Sequence, residues 1–193
     1  MRFYSYIASP LGRILLTSDG ESLTGLYLEG QKYEPEPGAG WTRNDTLPLF
    51  TTTAAQLAEY FAGTRSSFEL PLAPAGTPFQ QRVWRRLLEI PYGARISYGD
   101  IAHEMGKPQA ARAVGAAVGR NPLSIIVPCH RVVGSDGALT GYAGGLERKV
   151  ALLELEDRHA PAGARRAQRA SAARTGAPQP GPRRAAARRA GPR

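Results

Sequence analysis

The sequence predicts an α/β protein of two domains followed by a disordered basic tail, and three observations carry that prediction. Short β-type runs give way to a helical stripe within the first 72 residues. A Pro-rich junction at 70–78 then leads into a new helix start with its own cap. From Asp157 onward the chain holds no Val, Ile, Leu, Met or aromatic residue, so that stretch cannot bury enough surface to offset its conformational entropy. The expected units are residues 1–72, 73–156 and a tail at 157–193.

In the first unit, "RFYSYI", "LGRILLTS" and "LTGLYLE" read as short strands, punctuated by Ser-Pro, Asp-Gly and Glu-Gly. "GQKYEPEPGAGW" reads as a loop. Phe50, Ala54, Leu57 and Phe61 recur at i, i+4, i+7 and i+11, a helical stripe closed by Gly63. No reactive side chains gather here, which gives this unit a supporting role.

The second unit opens on Thr77, with Pro78 at the first helical position and Gln80 three residues after the cap, the pattern of a capping box. Phe79, Val83, Trp84, Leu87 and Leu88 form its apolar stripe. Ser97 caps a second helix, Tyr98 to Met105, stopped by Gly106-Lys107-Pro108. "QAARAVGAAVG" supplies a third, so two short helices meet across a tight turn as in a helix-turn-helix. Ala110, Ala111, Ala113, Gly115, Ala116 and Ala117 leave the third helix thin, with Arg112 the one long side chain between Gln109 and Arg120. An ordinary helix is about 10–12 Å across and a minor groove about 6 Å wide, so a helix stripped to Ala and Gly approaches such a groove more closely than most. An Arg in that setting belongs at the surface, because a buried unpaired one is costly. The last helix, Leu146 to Glu156, is expected to bury Leu146, Val150 and Leu153. Glu154 and Glu156 flank that stripe at comparable angles.

Charge follows the same division. The tail carries ten Arg against one acidic residue, the whole net charge of +9, while residues 1–156 hold fifteen of each sign. Within that neutral body, residues 1–79 sum to −3 and residues 80–150 to +5, so a polyanion should meet the second unit. The tail's arginines suit an electrostatic arm for nucleic acid, and a GC-rich coding bias would give the same composition.

One cysteine excludes an internal disulfide and a thiolate zinc cluster and makes the cytosol the natural compartment; no apolar leader or long apolar span points to secretion or a membrane. That cysteine stands in "SIIVPCHRVVG", where the apolar run Ile125-Ile126-Val127 reads as a strand ending at Pro128. A lone cysteine is ordinarily a small buried hydrophobe, but His130 is adjacent. On an extended chain the two side chains would point apart, so a backbone turn or a bridging water is needed for the imidazole to draw off the thiol proton. Downstream, Asp136-Gly137 reads as a turn, and Gly141, Gly144 and Gly145 leave room for backbone to wrap a flat ligand.

Pro128-Cys129-His130-Arg131-Val132, preceded by Asn121-Pro122 and followed by "GYAGGLERK", resembles the active-site signature of the O6-alkylguanine-DNA alkyltransferases. "TPFQQRVWRRLLEIPYG" and "ISYGDIA" resemble the flanking segments of that family in order and spacing. The likeness is strong over 77–156 and weaker over 1–76. It implies an RNase H-like α/β first domain, a winged helix-turn-helix second domain, and single-turnover transfer of an alkyl group from O6 of guanine in double-stranded DNA to Cys129, leaving a thioether. His130 would act through water, Glu156 rather than Glu154 would orient it, Asn121 would hold the turn, and Tyr98 would donate to guanine N3. Backbone near Val132 and Ala143, with Ser135, would contact the base. Arg112 would fill the vacated stack, with Ala110, Ala111 and Gly115 against the minor groove. A monomer is expected, with no metal and no cofactor. Relatives that bind zinc do so through cysteines that this chain lacks in its first unit, and those that only sense lesions carry Trp where Cys129 stands. A DNA-binding regulator would account for the helix pair but not for Cys129, His130 and Glu156; a thiol hydrolase or peroxidase would account for the cysteine but not for the Ala-rich helix.

Overall fold

The computed structural model describes residues 1–160, so the proposed nucleic-acid arm lies, from residue 161 on, outside the described residues. The three expected strands form as β1 (Arg2–Ile7), β2 (Ile14–Ser18) and β3 (Leu23–Leu28). A fourth, β4 (Trp41–Arg43), lies at the end of the segment read as a loop; three residues are too few to show alternation. The sheet order is β3-β2-β1-β4, with β4 parallel to β1 and the other pairs antiparallel. Arg2 and Tyr4 of β1 meet the Trp41 ring at 4.5 and 6.2 Å and hold that short strand in place.

Helix α1 (Pro48–Phe61) buries Phe50, Thr53, Gln56, Leu57 and Tyr60. Phe50 and Leu57 are as expected, but Ala54 and Phe61 are half-buried and three polar residues complete the inner face. Their polar atoms are used: Gln56 exchanges hydrogen bonds with the Glu69 backbone at 2.9 and 3.1 Å. An apolar scan passes over such positions because they become hidden only once a partner exists.

In the second domain α2 (Pro78–Leu88) starts at the expected capping box, with Thr77 and Gln80 bonding each other's backbone amides. Val83, Trp84 and Leu87 are buried, while Leu88 is 47% exposed and lies outside the stripe. After β5 (Ile96–Ser97), Ser97 and Asp100 cap α3 (Tyr98–Glu104) reciprocally. The third helix is split: Pro108–Ala110 is a 3-10 turn and α4 runs Ala111–Gly119. Trp84 Nε1 donates to the Ala117 carbonyl at 2.9 Å and ties α2 to α4. With β6 (Val132–Val133) paired parallel to β5, this is the winged helix-turn-helix arrangement, and the α/β first domain matches expectation.

Helix α5 (Leu146–His159) departs from the reading in two ways. Leu146 is 48% exposed and Val150 half-buried; the inner stripe is Lys149, Leu152, Leu153 and Glu156, at i, i+3, i+4 and i+7. Charged residues occupy both ends of that face, so apolar periodicity alone placed it wrongly. The helix also continues past Glu156. Asp157 pairs with Arg95 at 2.5 Å, and Ala160 is buried against Gly93, whose φ of +74° and tight fit to Ala160 exclude a side chain. The packed chain therefore continues to Ala160, past the expected bound at 156.

The domains share one apolar core and are stitched along the outer edge of β3. Leu23 pairs with the interdomain segment (Leu23 N to Pro71 O, 2.8 Å; Ala73 N to Leu23 O, 3.0 Å), and Leu26 pairs with the segment before the cysteine (Leu26 N to Pro122 O, 2.8 Å; Ser124 N to Leu26 O, 3.0 Å). Arg148 adds a clamp from α5, donating to the carbonyls of Leu11 and Glu29 at 3.0 and 2.8 Å. A chain ending at Ala160 should melt above one ending at Glu156 by roughly 4–8 °C, the effect of about 2 kcal/mol in a protein this size, as differential scanning calorimetry would measure.

Candidate active site

The apolar run before the cysteine is a buried turn, not a strand. Ile125 has φ +72°, in the left-handed region that a β-branched residue adopts only under constraint. Ile125, Ile126 and Val127 are all in the core, and a fully buried turn leaves the same apolar signature as a buried strand. The constraint is Asn121. Its Nδ2 donates to the Val127 carbonyl at 2.8 Å and to Cys129 Sγ at 3.0 Å, and its Oδ1 accepts from the Leu123 amide at 3.0 Å. One side chain thus closes the turn from both ends and holds the sulfur.

Cys129–Arg131 then form a 3-10 turn. At about three residues per turn, successive side chains diverge by roughly a third of a circle instead of pointing to opposite faces. This is the backbone turn that the Cys-His pair required. His130, fully buried, places Nε2 at 2.8 Å from Glu156 Oε1.

Glu156, also fully buried, is the electrostatic centre of the site. Its carboxylate accepts from Tyr60 Oη (2.8 Å), from the Gly93 amide (3.0 Å), from Arg131 Nε and Nη2 (3.0 and 2.9 Å) and from His130. Burial pushes its pKa up, but the hydrogen bond from His130 and the hydrogen bonds and charge of Arg131 outweigh that and hold it well below the usual carboxylate range. An ionised Glu156 assigns the Nε2 proton to His130 and leaves Nδ1 as a lone-pair acceptor; Nδ1 is buried without a hydrogen-bond partner among the described residues. Burial lowers the His130 pKa, with Glu156 opposing, so the ring is neutral. Burial raises the Cys129 pKa, partly countered by Asn121 and the Lys149 charge, so the resting sulfur is a thiol. The resting site thus holds a protonated thiol and an imidazole with a free lone pair, the starting forms for general-base removal of the thiol proton.

Lys149 of α5 brings a further buried cation near the cysteine. Its ammonium donates to the carbonyls of Val132 and Thr140, both at 2.7 Å, and burial brings its pKa down to about 8. It ties the strand after the site to the loop at 134–145. In that loop the expected Asp136-Gly137 turn forms, with Gly137 at φ +78° and Gly134 bonded to Ala138 at 2.9 Å.

The fold thus gathers Cys129, His130, Glu156 and Asn121, and separates Glu154, which is exposed, from Glu156. Tyr98 is half-buried at the start of α3 and directs its hydroxyl at the Gly141 carbonyl, 3.5 Å away. The Val132 carbonyl is engaged by Lys149, the Ala143 carbonyl accepts from the Lys32 amide at 2.9 Å, and Ser135 is exposed on the turn. On α4, Arg112, Ala113 and Ala116 are exposed, Ala111 is half-buried, as is Ala110 at the end of the preceding 3-10 turn, and Gly115 faces the Tyr98 ring. Arg131, Lys149, Tyr60 and Gly93 escaped the sequence reading. The first two carried a signal, a charge inside "IIVPCHRVV" and a lysine seven residues before Glu156 on one helix face. Tyr60 and Gly93 carried none, since each reaches Glu156 only through the tertiary fold.

Two family models match the chain: "6-O-methylguanine DNA methyltransferase, ribonuclease-like domain" over residues 2–74 and "6-O-methylguanine DNA methyltransferase, DNA binding domain" over residues 78–158. Among curated relatives, the methylated-DNA--protein-cysteine methyltransferase of Haemophilus influenzae is 48% identical over 80% of this chain and 86% of its own, and that of Methanosarcina barkeri 51% identical over 80% and 97%. Among solved structures, a Mycobacterium tuberculosis OGT crystallised in complex with DNA has a TM-score of 0.76 at 50% identity, covering 83% of this chain and 96% of that one.

The two glutamates should separate sharply in stability. Glu156→Gln leaves the Arg131 guanidinium buried without its counter-charge and should cost about 3–5 kcal/mol, whereas Glu154→Gln should stay within about 0.5 kcal/mol; equilibrium urea unfolding measures both.

Proposed function

This chain belongs to the 6-O-methylguanine DNA methyltransferase family, and from that premise we propose that Cys129 takes the alkyl group from O6 of a guanine in duplex DNA in a single, self-inactivating turnover. The observation that carries the reading is the buried chain of groups Asn121, Cys129, His130 and Glu156, which pairs a held thiol with a neutral, oriented base.

The thiol proton passes through one water to His130 Nδ1, and the imidazolium so formed is stabilised by Glu156. The sulfur lone pair forms the S–C bond as the C–O6 bond breaks, and the electron pair stays on the guanine, which regains a proton as it leaves. A soft sulfur suits displacement at an sp3 carbon. Tyr98, on its long contact to Gly141, is placed to turn its hydroxyl to guanine N3 and stabilise the charge developing there. Amide and carbonyl groups around Val132 and Ala143, with Ser135, contact the base edge. The thioether persists because the thiolate of a neutral dialkyl sulfide is too poor a leaving group for water or another thiol to displace.

The reacting carbon lies inside the duplex, so the nucleotide must be flipped out. We assign that task to α4. Its exposed Arg112, Ala113 and Ala116 form a thin face that suits the minor groove, with Ala110, Ala111 and Gly115 behind it. Arg131 and Lys149, two of the ten basic residues in 80–150, are buried and cannot contribute to phosphate binding. One chain carries every group that the mechanism uses. Among the described residues no helix is long and apolar enough to cross a membrane, and the cytoplasm, where a lone thiol stays reduced, is the compartment we propose.

Intact-mass measurement after incubation with an O6-methylguanine duplex tests the reading. The wild type should gain one methylene per molecule on the Cys129 peptide, and Cys129→Ser should gain nothing while binding DNA normally. Turnover of a small substrate without an adduct would instead indicate a hydrolase, and equal binding of plain and alkylated duplex without an adduct would indicate a regulator. Arg112→Ala should slow transfer from duplex DNA by roughly 10–100-fold, the loss of a few kcal/mol of support for the flipped state. It should change transfer from free O6-benzylguanine and the melting temperature little, as single-turnover kinetics and calorimetry would show.

A further inference from the structure

The reverse turn that follows β3 joins the supporting domain to both walls of the site. Gln31 is 5% exposed, and its side-chain oxygen accepts two hydrogen bonds, from the Leu28 amide at 2.8 Å and from Ser124 Oγ at 2.9 Å. Ser124, itself buried, lies in the turn between Asn121 and Cys129. The next residue, Lys32, donates its amide to the Ala143 carbonyl at 2.9 Å, in the loop that carries Gly141 and Tyr142. Beside it Gly144 fits so closely on Leu28 that a Cβ there would come within 2.9 Å of Leu28 Cδ1. Tyr98 and Tyr142, one bonded to this loop and one part of it, lie within electrostatic reach of the Cys129 sulfur.

The cysteine turn is thus tied to Gln31, beside its backbone pairing to Leu26, and the loop at 141–145 is tied to Lys32, so these two segments form two walls. Adjacent residues sit about 3.8 Å apart along the chain, so their two attachments leave little slack between the walls. Gln31 does not touch the reacting atoms; it fixes where the cysteine turn lies relative to the loop.

We infer that the alkyl group seats between the cysteine turn and the loop at 141–145, and that Gln31 is a positioning residue that sets the width of this alkyl pocket and so the size of alkyl group that Cys129 accepts. This rests on the reading of Cys129 as acceptor. Without the Gln31 oxygen, the Ser124 hydroxyl and Leu28 amide lose their buried acceptor, and the cysteine wall, left with its backbone bonds to Leu26, shifts while the Lys32–Ala143 bond still holds the other. A widened pocket favours a bulky group over a small one.

The test compares single-turnover rates on duplexes carrying O6-methylguanine or O6-benzylguanine. Gln31→Ala should raise the benzyl-to-methyl ratio by about fivefold or more, and Gln31→Glu, which keeps an acceptor oxygen in place, should stay within about twofold of wild type. Leu57→Ala, in the core of α1, reports general destabilisation and should slow both substrates without moving the ratio. Should Gln31→Ala not fold, Ser124→Ala removes the same bond from its other end and must raise the ratio. An unchanged ratio in the folded variant, a matching change in Leu57→Ala, or Gln31→Glu behaving like Gln31→Ala would each overturn the inference. A wild-type protein that transfers neither group would instead overturn the assignment of Cys129.

Discussion

A strand edge with unpaired amides and carbonyls must find partners, and the outer edge of β3 governs how this molecule is put together. Its two halves are closed by different segments. Residues 71–73 close the first and bind the interdomain segment to the sheet; residues 122–124 close the second and bind the approach to Cys129. The cysteine turn is therefore an extension of the first domain's sheet as much as a part of the second domain. The supporting domain does not carry the nucleophile, yet it supplies the surface on which the nucleophile is mounted.

The same dependence appears in the charges. A carboxylate as deeply buried as Glu156 persists only with its oxygens fully engaged, and its donors come from three separate places: Tyr60 on α1, Gly93 after α2, and His130 with Arg131 in the 3-10 turn. Arg131 in turn spends a further N–H on the Ile90 carbonyl at 2.6 Å. The site can keep a neutral imidazole against an ionised partner because Arg131, not His130, supplies the balancing positive charge. Separating charge balance from proton acceptance leaves the histidine free to change protonation state during a reaction.

Much of this was legible in the sequence where local chemistry decides structure. Caps at Thr77 and Ser97, the three early strands and the helix pair all depend on neighbours within a few residues. Legibility failed where an outside partner decides. Thr53, Gln56 and Tyr60 are polar yet internal because Glu69 and Glu156 wait for the last two. Lys149 and Glu156 form an inner face that an apolar count assigns to Leu146. The run at 125–127 looks like a strand in the sequence because complete burial erases the alternation that tells a strand from a turn, and Asn121 settles its shape. Gln31 sits in a segment whose Gly and Pro content marked it as a loop, and nothing local shows that its amide oxygen serves Ser124.

The pairing of Leu26 with Leu123 also orders events in time. During synthesis β3 leaves the ribosome with only residues 71–73 able to cover part of its edge, and the segment that completes the cover follows about a hundred residues after Leu26. At ordinary elongation rates of about 5–20 residues per second, that half of the edge is bare for roughly 5–20 seconds. In that interval another nascent chain could add a strand there, so high expression carries an aggregation hazard that the finished protein does not share. The segment that ends the hazard is the one that seats the cysteine, so the reactive thiol is installed in the same step that removes the sticky edge.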